Sequence, residues 1–102
     1  MPNYLEPFET ELLAGAELVN GDLVPDEAAR RIYQLTHYHL RHLGDTDGGW
    51  ATLYRDPDDG RLWEKIYPHG NLQGGGLARL HVLSEAEAER RYGHDVLLRG
   101  GV

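Results

Sequence analysis

Apolar residues recur along this chain with two different periods, and the switch between them divides it into elements. Thr10-Glu11-Leu12-Leu13 and Ala16-Glu17-Leu18-Val19 read as short strand pieces broken at Gly15. Asn20-Gly21 predicts a two-residue hairpin turn, because both residues tolerate positive φ. Asp22-Leu23-Val24 returns as a strand that Pro25 stops. From Asp26 the period lengthens. Ala28, Ala29, Ile32, Leu35, Thr36, Leu40 and Leu43 recur at three- and four-residue steps, which predicts one long amphipathic helix. Asp26 suits its N-cap, Glu27 the positive end of its dipole, and Gly44 its C-terminal cap. Tyr38 falls nearly opposite the apolar stripe, exposed unless something covers it.

The pattern shortens again at Gly49. Trp50, Leu53, Tyr54, Leu62, Trp63, Ile66 and Tyr67 are residue types that suit a pleated, half-buried surface, and Asp56-Pro57-Asp58-Asp59-Gly60 between the two runs supplies a turn. This hairpin is expected to carry the core, with both tryptophans mostly buried. The glycine-punctuated stretch from His69 to Gly76 reads as a wide loop, and Leu77 to Leu83 as another strand. Ser84 with Glu87 forms a capping box, and Ala86, Ala88 and Tyr92 predict a short helix ending near Gly93. After that the tail frays, or docks weakly through Val96 and Leu97. These elements predict an α+β fold, an antiparallel sheet of about five strands packed against one long α-helix, with a short C-terminal helix. No internal repeat is visible. The 102 residues are expected to form a single domain with loosely held termini at 1–8 and 94–102.

Composition narrows the partners. A formal net charge of −7 and a pI near 5.2 disfavour nucleic acid or an anionic membrane as direct ligand, and welcome a basic protein. With no cysteine there is neither a disulfide framework nor a thiolate metal site. The first twenty residues lack a basic start and contain Glu6, Glu9, Glu11 and Glu17, so no secretory signal is read there, and no apolar run reaches membrane-span length. The expected compartment is the cytoplasm.

Candidate chemistry is sparse. His37, His39 and His42 invite a metal reading, but His37 and His42 point well apart on a helix and only His39 and His42 share a face, so no metal site is expected; His39 reads as a partly buried, hydrogen-bonded histidine. The Asp56–Gly60 turn fails the calcium-loop pattern, and Gly74-Gly75-Gly76 precedes a strand without a following Lys or Ser, unlike a phosphate loop. Glu64 with His69 or His81 is the acid–base pair that a small acidic hydrolase-like enzyme would use, yet no nucleophile-like context accompanies it. A self-associating structural domain is the remaining alternative. No cofactor is expected. The better class is a small acidic binding protein.

One resemblance goes further. Glu9-Thr10, Leu13, Gly15, Asn20-Gly21, Asp26, Arg31-Ile32 and Leu35, followed by Gly49-Trp50, Leu53-Tyr54, Asp56-Pro57, Asp59-Gly60-Arg61, Trp63-Glu64, Tyr67-Pro68, Gly74-Gly75-Gly76 and Leu80, resemble immunity protein family twenty-seven of bacterial polymorphic toxin systems. The resemblance spans roughly Glu9 to Tyr92, and Gly49 to Gly76 is its specific part. Leu77 and Ala78 stand where the family commonly has proline after the triple glycine. What the resemblance implies is a cytoplasmic protein that binds the toxin domain made beside it and catalyses nothing. On that reading Asp45, Asp47, Tyr54, Asp56, Asp58, Asp59 and Glu64 are the expected toxin-binding residues, an acidic surface on a stiff hairpin that occludes a basic active-site cleft.

Overall fold

The structure, a computed structural model, describes residues 5–68 and 77–99, with the backbone alone at Asp47 and Arg99. Strands β1 (Glu11–Leu13), β2 (Ala16–Val19) and β3 (Asp22–Pro25) precede helix α1 (Glu27–Gln34). Four more strands follow, β4 (Arg41–Thr46), β5 (Ala51–Arg55), β6 (Leu62–Ile66) and β7 (Arg79–Leu83), and the chain closes with α2 (Glu85–Tyr92) and α3 (His94–Arg99). Five strands make an antiparallel sheet in the order β1-β7-β6-β5-β4, while β2 and β3 form a separate ribbon. Asn20 and Gly21 take φ of 52° and 85° at the ribbon's turn, the positive values that a two-residue hairpin requires.

Asp26 starts α1 by accepting a hydrogen bond from Ala29 N at 2.8 Å. The same oxygen accepts Gly15 N at 3.0 Å, so one carboxylate fixes both the helix start and the link between β1 and β2. Those bonds, Ala29 N foremost, hold the Asp26 carboxyl below the usual range.

The long helix expected to reach Leu43 does not exist. Regular α-helix ends at Gln34, and Leu35–His39 continues as a π-helical turn closed by Leu40 N donating to Leu35 O at 2.7 Å. Leu40 is already extended, and residues 41–46 are the edge strand β4, paired with β5. The helical spacing of Leu40 and Leu43 misleads because of a β-bulge: His42 faces Tyr54 and Gly44 faces Leu53, which leaves Leu43 as the extra residue between them. Leu40 thereby joins one core and Leu43 another. Pairing with β5 outweighs a helix propensity that Thr36, His37, Tyr38 and His39 keep weak.

The sheet separates two cores. On one face α1 and the π turn bring Ile32, Leu35 and Leu40 onto Tyr54, Trp63 and Leu80, with Leu5 joining from the N-terminal segment. On the other, Ala88, Tyr92, Val96 and Leu97 of α2 and α3 cover Leu43, Leu53, Leu62 and Leu83. Strand alternation sorts the side chains: Trp63 faces α1, and its neighbours Leu62 and Glu64 face α2. Ser84 caps α2 as expected, accepting Glu87 N at 3.1 Å. The two tryptophans part company. Trp63 has no exposed surface, whereas Trp50 is 50% exposed. Trp50 precedes β5, and its ring meets the Tyr67 ring edge-to-face at 5.4 Å.

Arg61 fastens the N-terminal segment to the sheet. Its guanidinium donates to Glu9 O at 2.6 Å and to Glu6 O at 3.0 Å, and lies 5.1 Å from the Trp63 ring. Arg31 of α1 holds the same segment through two 2.6 Å bonds to the Glu9 carboxylate. Among the described residues no helix is long and apolar enough to cross a membrane.

Candidate functional site

The six acids grouped with Tyr54 from the sequence occupy three places. Asp45 and Asp47 lie at the end of the sheet where β5 begins; Asp56, Asp58 and Asp59 lie in the turn after β5. Five strand residues separate the two groups, about 17 Å at the usual rise per residue. Glu64 belongs to neither, because it lies under α2 on the opposite face from α1.

At the first end Asp45 is half exposed, accepting Thr52 Oγ1 at 2.8 Å and standing 3.2 Å from His42 Nε2. Asp47 is in a 3-10 turn, Asp47–Gly49. Tyr54, further along β5, is buried in the core with Ile32, Leu35 and Leu40, with His42 edge-on at 5.9 Å; burial first, then the charge of Asp45, pushes its hydroxyl pKa up. It has almost no surface to offer a partner.

In the turn, Asp56 N donates to Arg61 O at 2.9 Å and Gly60 N to Asp56 O at 2.8 Å, with Gly60 at φ 80°. Asp56 itself is buried and structural: its Oδ1 accepts Asp58 N at 2.8 Å. Asp59 accepts Arg61 N at 2.9 Å and Arg61 Nε at 2.7 Å. Asp58 projects furthest, with 58% of its side chain exposed.

The histidine run does not converge. His37 stacks on Tyr33 at 4.0 Å, His42 turns to Asp45, and His39 turns inward to the acidic turn. There His39 Nε2 lies 3.2 Å from Asp56 Oδ1 and 3.3 Å from Asp58 Oδ2, a set of donor atoms close enough to hold a metal ion. The expectation of a partly buried, hydrogen-bonded His39 is met: only 8% of its side chain is exposed.

Glu64 has no exposed surface and three partners: His81 Nε2 at 2.8 Å, Arg91 Nη1 at 2.7 Å and Tyr92 Oη at 2.8 Å. Burial alone would raise its pKa, but the bonds from His81, Tyr92 and Arg91 more than offset that and hold the carboxyl below the usual range. The structure therefore brings Glu64 and His81 together, as an acid–base pair would require. Their surroundings differ from those of an accessible acid: the carboxylate has no exposed surface, and three of its roughly four acceptor sites carry a hydrogen bond. It joins β6, β7 and α2. His69 lies outside the described residues, as does the Gly74–Gly76 run.

One feature has no counterpart in the sequence reading. A groove of about 400 Å³ opens between the flank of α1, the β2–β3 ribbon and the sheet end, lined by Ala14, Leu23, Pro25, Tyr33, His37 and Tyr67 among others. Tyr33 and Tyr38 of the helical segment are largely exposed, as is Trp50 against Tyr67. The groove needs residues from four separate elements, which no periodicity joins. Glu64 is more legible: on β6 it lies two residues from Leu62 and from Ile66, so it shares their face of the sheet.

The sequence model of the family described as Immunity protein 27 matches residues 18–84, most of the chain. The chain belongs to that family. No curated protein and no solved structure matches it.

Proposed function

We propose that this member of the Immunity protein 27 family neutralises a cognate bacterial toxin domain by binding it in the cytoplasm of the producing cell, with no reaction of its own. The contact is made by exposed acids, foremost Asp58 and Asp59 of the hairpin turn, with Asp45 as a more distant contributor. Asp56 and Glu64 act from within, holding the turn and the sheet, and Tyr54 supports the face beneath Asp45. The observation that carries this reading is the turn itself: carboxylates fixed by four backbone and side-chain bonds present charge without the cost of ordering a loop. A basic cleft of the kind that binds phosphates is the complementary surface, and the chain's charge of −7 steers encounter with it.

The exposed rings of Tyr33, which lines the groove, and of Tyr38 and Trp50, which pack beside its Tyr33 and Tyr67, favour a second reading, in which the groove end is the contact and these rings are the anchors. One experiment separates the two. Association and dissociation rates with the cognate toxin domain are measured at low and moderate salt for Asp58→Asn with Asp59→Asn, and for Trp50→Ala with Tyr38→Ala. The acidic reading expects the first pair to lose about tenfold in association rate at low salt, with less loss as salt rises. Unchanged rates for a folded Asn pair, with fast dissociation of the ring pair, would transfer the contact to the groove.

A further inference from the structure

We propose that His39, Asp56 and Asp58 form a binding site for a zinc-class divalent cation, clamping the end of the α1 segment to the β5–β6 turn. The ligands come from one histidine of the run and two aspartates well downstream, so the site escapes any test of histidine spacing along a helix.

Two distances carry the inference. His39 Nε2 stands 3.2 Å from Asp56 Oδ1 and 3.3 Å from Asp58 Oδ2. The first is at the long end of an ordinary N–H···O bond and the second just beyond it, and one imidazole N–H serves both carboxylates. Ligands at about 2.0–2.1 Å around tetrahedral zinc are separated from one another by about 3.3 Å, the spacing found here. The histidine nitrogen thus already stands at ligand spacing from both carboxylates, and one donor atom from each of the three residues lies within 4.8 Å of the others.

The state of Asp56 is the independent observation. Its side chain is 1% exposed, and Oδ2 has no hydrogen-bond partner among the described residues. A buried carboxylate with one oxygen lacking a donor is costly, and a cation held at Oδ1 neutralises the charge of the group to which Oδ2 belongs. Asp56 is also held in place, because Oδ1 accepts Asp58 N at 2.8 Å and its backbone closes the turn to Arg61. Asp58, more than half exposed, leaves the mouth of the site open to solvent, so water supplies the fourth position. One imidazole and two carboxylates suit zinc and its first-row neighbours. They are too few oxygens for calcium. On binding, His39 Nε2 coordinates through its lone pair and any proton there is released to solvent.

The test uses the chain alone, so its outcome does not depend on toxin binding. Metal-stripped protein is titrated with zinc chloride at pH 7 by calorimetry, and its thermal unfolding is followed in parallel. The expected result is one ion per chain with a dissociation constant on the order of micromolar. At a hundredfold excess the melting temperature rises by roughly 10 °C. Calcium gives no shift. Asp58→Asn, a change at an exposed side chain that keeps the fold, weakens zinc binding at least tenfold, and His39→Gln does the same. His42→Ala leaves it intact. No heat and no thermal shift in the wild-type protein would overturn the site. So would binding that survives in Asp58→Asn and is lost in His42→Ala, which would assign zinc to the surface pair of His42 and Asp45.

Discussion

Replacing Glu64 with glutamine removes one charge from beneath α2 and leaves nearly every atom in place. The wild-type carboxylate accepts bonds from His81, Arg91 and Tyr92, two of them from residues that can carry positive charge. Hydrogen bonds to charged groups contribute about 1.5–3 kcal/mol each. Glutamine keeps one acceptor oxygen, the Tyr92 hydroxyl can rotate, and Arg91 is half exposed, so its share is screened. The expected loss is about 2 kcal/mol, or a fall of roughly 10 °C in melting temperature for a domain of this size. Acid provides the check. Burial works against the ionised carboxylate, but its hydrogen bonds prevail and the folded-state pKa lies below the ordinary 4.5. The stability due to its ionisation is therefore fully present above about 4.5 and is lost as pH falls through the lower, folded-state value. In urea unfolding at stepped pH, the gap between wild type and Glu64→Gln should be full at pH 5 and narrow below 4.5. A gap under 0.5 kcal/mol at pH 7, or one equally wide at pH 3, would refute the account of Glu64 as an ionised joint.

The tryptophans should separate clearly in denaturant melts: Trp63→Ala is expected to cost about 3–5 kcal/mol and Trp50→Ala about 1 kcal/mol or less, and similar losses would contradict their burial. Gly15→Ala should cost about 1 kcal/mol, because the new methyl collides with Asp26 Oδ2 and displaces the cap of α1. Asp26→Ala should cost about as much, and the double variant little more than either; full additivity in the melts would show that Gly15 and Asp26 act separately.

Local chemistry was read correctly wherever neighbours in sequence decide it. Asn20-Gly21, the caps Asp26 and Ser84, and the turn at Asp56–Gly60 depend on a few adjacent residues. The helix end failed for the same reason. Leu40 and Leu43 fit a helical stripe, and only the bulge opposite Tyr54 and Leu53 reveals the strand. The acids mislead differently: Asp45 and Asp58 lie on either side of strand β5 and hence at opposite ends of it, so they do not form one patch, while Glu64 points to the face under α2. His39 reaching Asp56 depends on where a π turn delivers it, which no spacing rule encodes.

Because β1 lies at the sheet edge against β7, that edge stays open until Leu83 has been synthesised. The hairpins β2–β3 and β5–β6 can close among near neighbours as they leave the ribosome. The first strand must wait for the last, and pairing them closes the longest loop in the sheet. A nascent chain arrested before β7 would expose unpaired backbone to any passing strand. Arrival of the C-terminal third is thus what makes the N-terminal third safe from misassembly.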